Sequence, residues 1–393
     1  MLVSARSATR AAMTWNGVTA RRMIRHALHQ PATEASPAGI ASVLCGAHAQ
    51  ISSAAELSIG RRIAGATRAD VRRALWDDRT LIKTFGPRGT IHLLSAADLP
   101  DWTGAMSVLP SPAPTHPDGV RFSPDQADEV IAAIGDALAD CELTVDELTQ
   151  AIAHRLGEWA VERTLEAFGG KWPRWRHLTS IAAHRGVLCF GPDRGRKVTY
   201  TSPHRWVPGF RPADGDAALR ALIMRYLRAY GPATPQHFAR WLGISARYAR
   251  ELFGILASDL EPVEVDGELG WTVAGDTVLP QEPHRGIRLL PYFDAYVVAC
   301  QPRERLYPGA AAARALTPTG QAGNYPVLLV DGVVGGVWHQ RRTGRSLAIT
   351  VEPLYELTAQ QYRQLCDEVE LVGAVMEATA TLAVGTVTTG AHA

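Results

Sequence analysis

The chain has few cysteines, few lysines and no long apolar run, and each absence narrows the possible classes of protein. Its 393 residues include five cysteines that lie far apart and form no CxxC pair, so neither a disulfide framework nor a zinc site is indicated. No stretch reaches the roughly 18 apolar residues that a membrane-spanning helix needs. The first residues also lack the apolar core of a signal peptide, and a reducing cytoplasm is the expected location.

The motifs of several common enzyme classes are also missing. The sequence contains no GxxxxGK(S/T) phosphate loop, no HExxH, no GxSxG and no GxGxxG after a predicted strand. ATP hydrolysis, zinc-dependent hydrolysis and nicotinamide chemistry therefore have no support, and we expect neither a metal nor a cofactor.

The balance of charge permits nucleic-acid binding only through a local basic surface. The formal net charge is +1, and the lysines are limited to Lys83, Lys171 and Lys197, so the basic residues are nearly all arginine. DNA binding needs a basic face rather than a basic chain. The planar guanidinium of arginine also matches the geometry of a phosphate better than the ammonium of lysine does. A GC-rich genome produces the same bias, so composition alone does not decide.

Turn residues divide the chain into successive regions, because 393 residues exceed a single ordinary core. The first three folded regions each have the order helix, helix, hairpin, and the last is strand-rich with one predicted helix over Thr358–Val369. The predicted divisions are a disordered tail over 1–14, a first region over 15–110, a Pro-rich linker with the second region over 111–214, a third region over 215–284 and a C-terminal region over 285–393.

The third region carries the clearest pattern. Two short helices, the second capped by Ser245, meet at Gly243, which is typical of a helix-turn-helix motif. Asp266-Gly267 then favours a tight hairpin turn between two strands. The recurring order predicts a mixed α+β fold with three tandem winged-helix units and a C-terminal β-rich region. Short helices and hairpins are also common in other α+β proteins, which is the alternative.

A segment of small residues in the first region holds the candidate catalytic residues. It reads Gly46-Ala47-His48-Ala49-Gln50 between two predicted helices, and an extended backbone would turn His48 and Gln50 to the same side. A glutamine oxygen can orient water, and a histidine can also accept a proton because its pKa is ordinarily close to neutral pH. A polar patch at a helix end is the alternative that the spacing leaves open.

Basic residues cluster at predicted hairpin tips, where they can contact phosphates. Charged tips are otherwise simply solvated. The candidate DNA-binding residues are Arg88 in the first region, Arg194, Arg196 and Lys197 in the second, and Arg341, Arg342 and Arg345 in the C-terminal region.

Four stretches resemble the winged-helix DNA glycosylases of the azinomycin-resistance type, the AlkZ and YcaQ group. Ala47–Gln50 falls where that family has a catalytic loop of Gln, apolar, Gln or of Gln, apolar, Asp. His48 stands where the azinomycin-resistance members mostly have Gln, whereas Gln50 matches. The other three stretches are Phe85–Leu94, Leu289–Tyr296 and Val330–Trp338, similar in turn to the family segments Arg-Gly-Thr-Leu-His-Leu, Leu-Leu-Pro-x-Phe-Asp-x-Tyr and Val-Asp-Gly-x-Val-x-Gly-x-Trp.

The resemblance implies a C-shaped arrangement of three winged helices and a DNA glycosylase, which we expect to be monofunctional and monomeric. It implies removal of cationic N7- or N3-alkylated purines from double-stranded DNA, including bulky adducts and interstrand cross-links, as self-resistance in an antibiotic producer. A cationic purine is already a good leaving group, so positioning water and stabilising a cationic sugar suffice. His48 would activate or orient the water and Gln50 would position it. The loop contains no lysine, so Schiff-base lyase chemistry is not expected.

Two other classes of function stay open at this point. A winged-helix transcriptional regulator without enzymatic activity would explain the repeats and the basic hairpins equally well, although no sustained heptad indicates a dimer helix. An RNA- or protein-interaction module is the other class, and no RNA-recognition motif supports it.

Overall fold

The computed structural model describes residues 11–110, 120–167 and 170–391, and its contacts group them into two compact units. Each unit combines parts of the chain that are not consecutive. Unit 1 contains Met1–Glu34, Gly60–Thr67 and Ile223–Ala393, and unit 2 contains Ala35–Ile59 and Arg68–Leu222. The four folded regions predicted from the sequence are a finer division, which stays a prediction.

Helices and strands alternate along the whole described chain, so the fold is mixed α+β. The helices are α1 (Trp15–Arg25), α2 (Pro37–Val43), α3 (Ser52–Gly60), α4 (Arg68–Trp76), α5 (Leu99–Ser107), α6 (Pro124–Leu138), α7 (Val145–Leu156), α8 (Thr179–His184), α9 (Pro203–Trp206), α10 (Gly215–Tyr230), α11 (Pro235–Leu242), α12 (Ala246–Ile255), α13 (Ala295–Ala299), α14 (Arg303–Leu306), α15 (Ala310–Ala315) and α16 (Ala359–Val375). None of the described helices is long and apolar enough to cross a membrane.

The strands are short in the first half of the chain and longer near its C-terminus. They are β1 (Ala11–Met13), β2 (Ala47–His48), β3 (Leu81–Phe85), β4 (Ile91–Ser95), β5 (Leu143–Thr144), β6 (Arg163–Ala167), β7 (Gly170–Pro173), β8 (Cys189–Arg194), β9 (Lys197–Thr201), β10 (Leu260–Val265), β11 (Glu268–Val273), β12 (Ile287–Leu290), β13 (Val327–Val330), β14 (Val333–Thr343), β15 (Ser346–Pro353) and β16 (Thr379–Val384).

Unit 2 contains two three-stranded sheets with the same topology. Their strand orders are β2-β4-β3 and β5-β9-β8, and in each a two-residue strand pairs antiparallel with the second strand of the hairpin that follows it. Helices α6 and α7 begin at capping boxes formed by Ser123 and Thr144, whose side chains satisfy otherwise unpaired backbone N–H groups. Behind these helices lies an apolar core around the fully buried Trp175, whose indole N–H donates to Thr149.

Unit 1 contains a three-stranded sheet, β1-β10-β11, and a five-stranded sheet that runs in chain order from β12 to β16. The five-stranded sheet is antiparallel except for β15 and β16, which are parallel and are joined through α16. Gly243 ends α11 in the left-handed conformation and Ser245 caps α12 as predicted. Asp266 and Gly267 both have positive φ and form the predicted hairpin turn.

Buried ion pairs join distant parts of the chain within unit 1. Arg62 and Asp294 form a bidentate salt bridge, and both side chains are completely buried. Arg61 likewise pairs with Glu368 of α16. An unpaired charge in these positions would be costly, so each partner requires the other. The segment Gly60–Thr67 is thereby fixed into the core of unit 1.

The prediction of a disordered tail over residues 1–14 is wrong at Ala11–Met13. These residues form β1, parallel to Val263–Val265 of β10, because that strand offers an edge with unpaired backbone groups. Met13 is also buried against Val18, Val263 and Val265. Residues 1–10 of the predicted tail and 111–119 of the predicted linker lie outside the described residues.

Candidate functional site

The predicted catalytic loop lies in unit 2, between α2 and α3. Cys45 and Gly46 both have positive φ, at 52° and 99°, and this turns the chain sharply from α2 into β2. A Cβ on Gly46 would lie 2.7 Å from Cδ2 of Leu94, so both the conformation and the close approach require glycine. The backbone N–H of Ala49 donates to the carbonyl of Ile91 at 2.7 Å, which ties the loop to β4.

His48 is the last residue of β2 and faces His92 on β4. The two residues are direct partners in the antiparallel pair, and their ring centroids lie 5.1 Å apart in an edge-to-face arrangement. Because the hydrogen-bonded pair is Ala49 with Ile91, His48 and His92 form the adjacent non-hydrogen-bonded pair, in which side chains are closer. The neighbouring strand therefore restricts the ring of His48.

Gln50 lies beyond the end of β2, in the turn that leads into α3, and is exposed. The extended backbone that would have turned His48 and Gln50 to one side thus stops at His48. The two residues are nevertheless connected, since the backbone N–H of Gln50 donates to Nδ1 of His48 at 3.4 Å. This bond requires a lone pair on Nδ1 and so places the proton of a neutral ring on Nε2.

The environment of His48 keeps its imidazole neutral. Burial and the neighbouring Arg88 guanidinium together lower the pKa of His48 to about 4. The sequence-based expectation of a pKa close to neutrality is therefore wrong, because the pattern of residues shows neither burial nor a nearby cation. At neutral pH His48 supplies a lone pair and an N–H group but is a weaker base than an ordinary histidine.

Two further histidines, neither of them a predicted site residue, extend the site: His92 faces His48, and His184 lies near His92. His92 is buried, and its Nδ1 lies 2.8 Å from the carbonyl oxygen of Thr90. Nε2 of His184 lies 3.2 Å from the carbonyl oxygen of Gly86. Burial is the largest cause that lowers the pKa of both rings, and His48 and His184 each lower that of His92 further. His48, His92 and His184 are called the histidine cluster below.

The signal for His92 was present in part. It alternates with apolar residues in Ile91-His92-Leu93, which places it on the opposite face of the strand from its neighbours. The pairing that brings it to His48 depends on β2, and a two-residue strand leaves no recognisable alternation. The position of His184 depends on packing between parts of unit 2 that are about a hundred residues apart in sequence, so no local pattern indicates it.

Arg88 is the predicted DNA-binding residue whose charge acts on the candidate loop. It lies in the tight turn Pro87–Gly89 between β3 and β4, has a positive φ of 58° and is exposed. Its guanidinium is close enough to contribute to the lowered pKa of His48. The tip of this hairpin thus carries an exposed guanidinium near the loop, in a position typical of phosphate contacts.

The other predicted residues of unit 2 lie on the β8–β9 hairpin and are partly engaged by acidic side chains. Arg194 is the last residue of β8 and pairs with Glu147 at 3.0 Å, and Lys197 pairs with Asp146 at 3.1 Å. Arg196 is exposed in the turn between the two strands. Acidic side chains of α7 thus already offset part of the positive charge of Arg194 and Lys197.

The basic residues of the C-terminal region lie on the β14–β15 hairpin of unit 1, and all three are exposed. Arg342 donates to the carbonyl oxygen of Met376 at 2.8 Å, which gives it a local structural contact. Arg341 pairs with Ala348 near the end of β14, and Arg345 lies in the turn between the two strands. Among the described residues, no group of three or more His, Cys, Asp or Glu side chains is placed to hold a metal ion.

The fold as a whole identifies the class of protein. The chain superposes on the structure of Streptomyces sahachiroi DNA glycosylase AlkZ with a TM-score of 0.77 and 28% identity, covering 95% of this chain and 100% of that chain. In sequence it is 33% identical over 340 residues to the interstrand DNA cross-link repair glycosylase of Streptomyces sahachiroi, over 83% of this chain and 87% of the relative. The class is that of the DNA glycosylases.

A comparison with sequence models of protein families identifies the family. The family model of the AlkZ-like DNA glycosylases matches residues 41–375, which include the candidate loop, the histidine cluster and the three other family-like stretches. The chain belongs to the AlkZ-like DNA glycosylase family. It is accordingly a DNA-repair hydrolase that acts on DNA, as the resemblance implied, and the transcriptional regulator considered as an alternative is not supported.

Proposed function

We propose that the protein is a monofunctional glycosylase that hydrolyses the N-glycosidic bond of cationic N7- or N3-alkylated purines in double-stranded DNA, with His48 and Gln50 as its catalytic residues. The observation that carries this proposal is the arrangement of His48, which faces His92 across β2 and β4 and accepts at Nδ1 from the Gln50 backbone N–H, while burial and Arg88 lower its pKa. A site with a neutral imidazole, an amide and Arg88 supplies lone pairs and hydrogen bonds rather than acid.

The chemistry of an alkylated purine suits such a site. The base carries a positive charge, so it departs without being protonated, and the barrier lies in placing water and stabilising the cationic sugar. The Gln50 amide oxygen can position the attacking water, and the Nε2–H of the His48 ring can donate to that water and orient it, because Nδ1 already accepts from the Gln50 backbone N–H. With its pKa lowered to about 4, His48 is a weak base, which favours orientation of the water over proton abstraction. The water becomes strongly acidic only as it bonds to the sugar.

We also propose that three tandem winged-helix units carry this site and bind the duplex. The order helix, short strand, two helices, hairpin occurs at α2 to β4 and, with the β6–β7 hairpin inserted, at α6 to β9. It occurs again at α10 to β11, where an antiparallel bridge between Ala233 and Trp271 takes the place of the short strand. Strand orders β2-β4-β3 and β5-β9-β8 are what one recurring unit would give.

The basic hairpins would hold the DNA backbone around the lesion. Arg88 is the candidate for a phosphate next to the reacting nucleotide, since its charge acts on His48. The exposed Arg196, Arg341 and Arg345 would contact other phosphates, together with Arg194, Lys197 and Arg342, which also have protein partners. Such contacts supply affinity and register but no sequence preference.

The relative from Streptomyces sahachiroi is named for interstrand cross-link repair, and we extend the proposal to bulky adducts and cross-links on that ground. A role in self-resistance belongs to the same proposal, as does a nucleoid-associated location in the cytoplasm, where the substrate lies. We further propose a monomer that uses no cofactor.

The absence of lyase activity is also proposed. Burial lowers the pKa of Lys83, the kind of shift that activates a lysine for Schiff-base formation. However, Lys83 pairs with Leu93, one position along from His92, so its side chain leaves the opposite face of the sheet. It reaches Ser52 at 3.4 Å and the Phe190 ring instead. Borohydride is expected to trap no protein–DNA adduct, and a trapped adduct that Lys83→Gln abolishes would refute this part.

The main test measures release of modified bases. Duplexes with a single N7-methylguanine, a bulky N7 adduct or an N7 interstrand cross-link are incubated with the protein and then treated with alkali. We expect strand scission at the lesion with the wild type and loss of it with His48→Ala and Gln50→Ala. Exposed His154 and Gln150 on α7 supply the matched controls His154→Ala and Gln150→Ala, which should behave as wild type. Scission at background level on every substrate, or full activity of both loop variants, would overturn the proposal.

A further inference from the structure

The ring of His92 lies in a slot that two glycines make possible. A Cβ on Gly86 would lie 2.8 Å from Nδ1 and 2.9 Å from Cγ of His92, which is closer than real Cβ atoms approach. On another side, a Cβ on Gly46 would lie 3.3 Å from Cδ2 of the same ring. A side chain at Gly86 would therefore displace the His92 ring, and one at Gly46 would press against it.

A hydrogen bond fixes the orientation of the ring within the slot. Nδ1 of His92 lies 2.8 Å from the carbonyl oxygen of Thr90, and a carbonyl can only accept. The ring therefore donates from Nδ1 and keeps a lone pair on Nε2. The hydrogen bond from Nδ1 and the two close glycines restrict the ring of His92. The residue is only 6% exposed.

The fixed ring of His92 in turn restricts His48. The two residues face each other across β2 and β4 as a non-hydrogen-bonded pair, with ring centroids 5.1 Å apart. We propose that His92 is a positioning residue for the glycosylase reaction, holding the ring of His48 where it can contact the attacking water. This inference rests on the proposed role of His48 and adds the residue through which the fold acts on it.

The charged and titratable groups around the pair make the effect of His92 measurable. Arg88 faces His48 from the turn after β3, and His184 faces His92 from α8. Burial is the largest cause of the low pKa of His48, ahead of Arg88. If His92 is removed or displaced, water gains access to His48 and its pKa should rise from about 4 towards its ordinary value, whereas a purely structural loss elsewhere would leave it unchanged.

Two variants disturb His92 by independent routes. His92→Asn keeps a short donor for Thr90 but removes the ring, and Gly86→Ala keeps the ring but pushes a methyl group against it. His177→Asn is the matched control, because Nδ1 of His177 also lies within hydrogen-bond distance of a backbone carbonyl, that of Arg174, and its ring also packs on an aromatic side chain. Thermal unfolding shows whether each variant folds.

The readouts are single-turnover release of N7-methylguanine from duplex DNA across pH and the NMR titration of the His48 ring. We expect both test variants to lower the maximal rate by about tenfold or more with little change in the protein concentration that gives half of that rate, since small misplacements at a reacting centre are costly. The acid limb of the rate and the His48 titration should both move towards neutral pH. His177→Asn should change none of these.

The outcomes separate this inference from the proposed function. If His48→Ala is inactive but folded His92→Asn and Gly86→Ala match the wild type in rate and in His48 titration, the positioning role is refuted and the proposed function stands. If His48→Ala is as active as the wild type, the proposed catalytic role of His48 fails, and the positioning role of His92 fails with it. Should His92→Asn not fold, Gly86→Ala decides alone by the same readouts.

Discussion

The pH dependence of base release is the sharpest consequence of the candidate site. An ordinary histidine with a pKa of 6.5 would be about ten parts protonated to one neutral at pH 5.5. Burial and Arg88 lower the pKa of His48 to about 4, so at the same pH roughly 97% of it stays neutral. We therefore expect the maximal rate of base release to be nearly constant from pH 8 to pH 5.5 and to be halved only near pH 4.

The assay is single-turnover release of N7-methylguanine from duplex DNA at saturating protein, with the release from protein-free duplex subtracted at each pH. Circular dichroism at each pH separates loss of the fold from titration of the site. Arg88→Gln removes one of the two causes of the shift, so its acid limb should move upward towards neutrality. Arg196→Gln, in the turn of the other unit 2 hairpin, is the matched control and should leave the limb in place.

Two results would refute this reasoning. An acid limb with an apparent pKa near 6.5 in the folded wild type would mean that His48 titrates as an exposed histidine. An identical limb in wild type and Arg88→Gln, with Arg88→Gln fully folded, would mean that the guanidinium does not act on the ring.

Three further predictions follow from the buried charges and the basic hairpins. Asp294→Asn leaves the fully buried Arg62 without a counter-charge, so the free energy of unfolding should fall by about 3–5 kcal/mol in urea titrations. Asp128→Asn breaks only an exposed pair with Arg185 and should cost less than about 1 kcal/mol, and equal effects of the two variants would contradict this account. The fully buried His26 has its pKa lowered to about 3, so the native state binds fewer protons than the unfolded chain between pH 6.5 and 3. Stability should then decrease as the pH falls through this window, by about 1.4 kcal/mol per pH unit from this residue, and urea titrations showing constant stability down to pH 4 would refute it. Finally, Arg341→Gln and Arg345→Gln should each reduce the salt dependence of duplex binding by about one unit of slope, whereas Arg194→Gln should reduce it less because Glu147 already offsets its charge. Equal slopes in all four proteins would count against a phosphate role for the β14–β15 hairpin.

The sequence was sufficient wherever a local rule decides the structure. The Ser245 cap, the turn at Gly243 and the Asp266-Gly267 hairpin turn depend on neighbouring residues alone, and the structure confirms them. It was insufficient for β1, which forms because residues 11–13 meet the edge of β10 about 250 residues later. It also missed the β6–β7 hairpin and the short helices α13 to α15.

The candidate loop shows the same division at closer range. The sequence by itself determined that Gly46–Gln50 is a small-residue segment containing a histidine and an amide, and family-like stretches around it indicated a DNA glycosylase. It could not determine the protonation state of His48. A pKa depends on burial and on the charges that lie nearby in space, and those come from residues far along the chain.

Only the tertiary structure decided which residues lie together at the candidate site. It brings His92 opposite His48 through a two-residue strand, places Arg88 at the tip of the same sheet and adds His184 from a helix about a hundred residues away. The sequence fixes local conformation because backbone dihedrals and caps respond to adjacent residues. The electrostatics of the site follow from packing, because only the folded chain excludes water from the histidine cluster and holds a cation beside it.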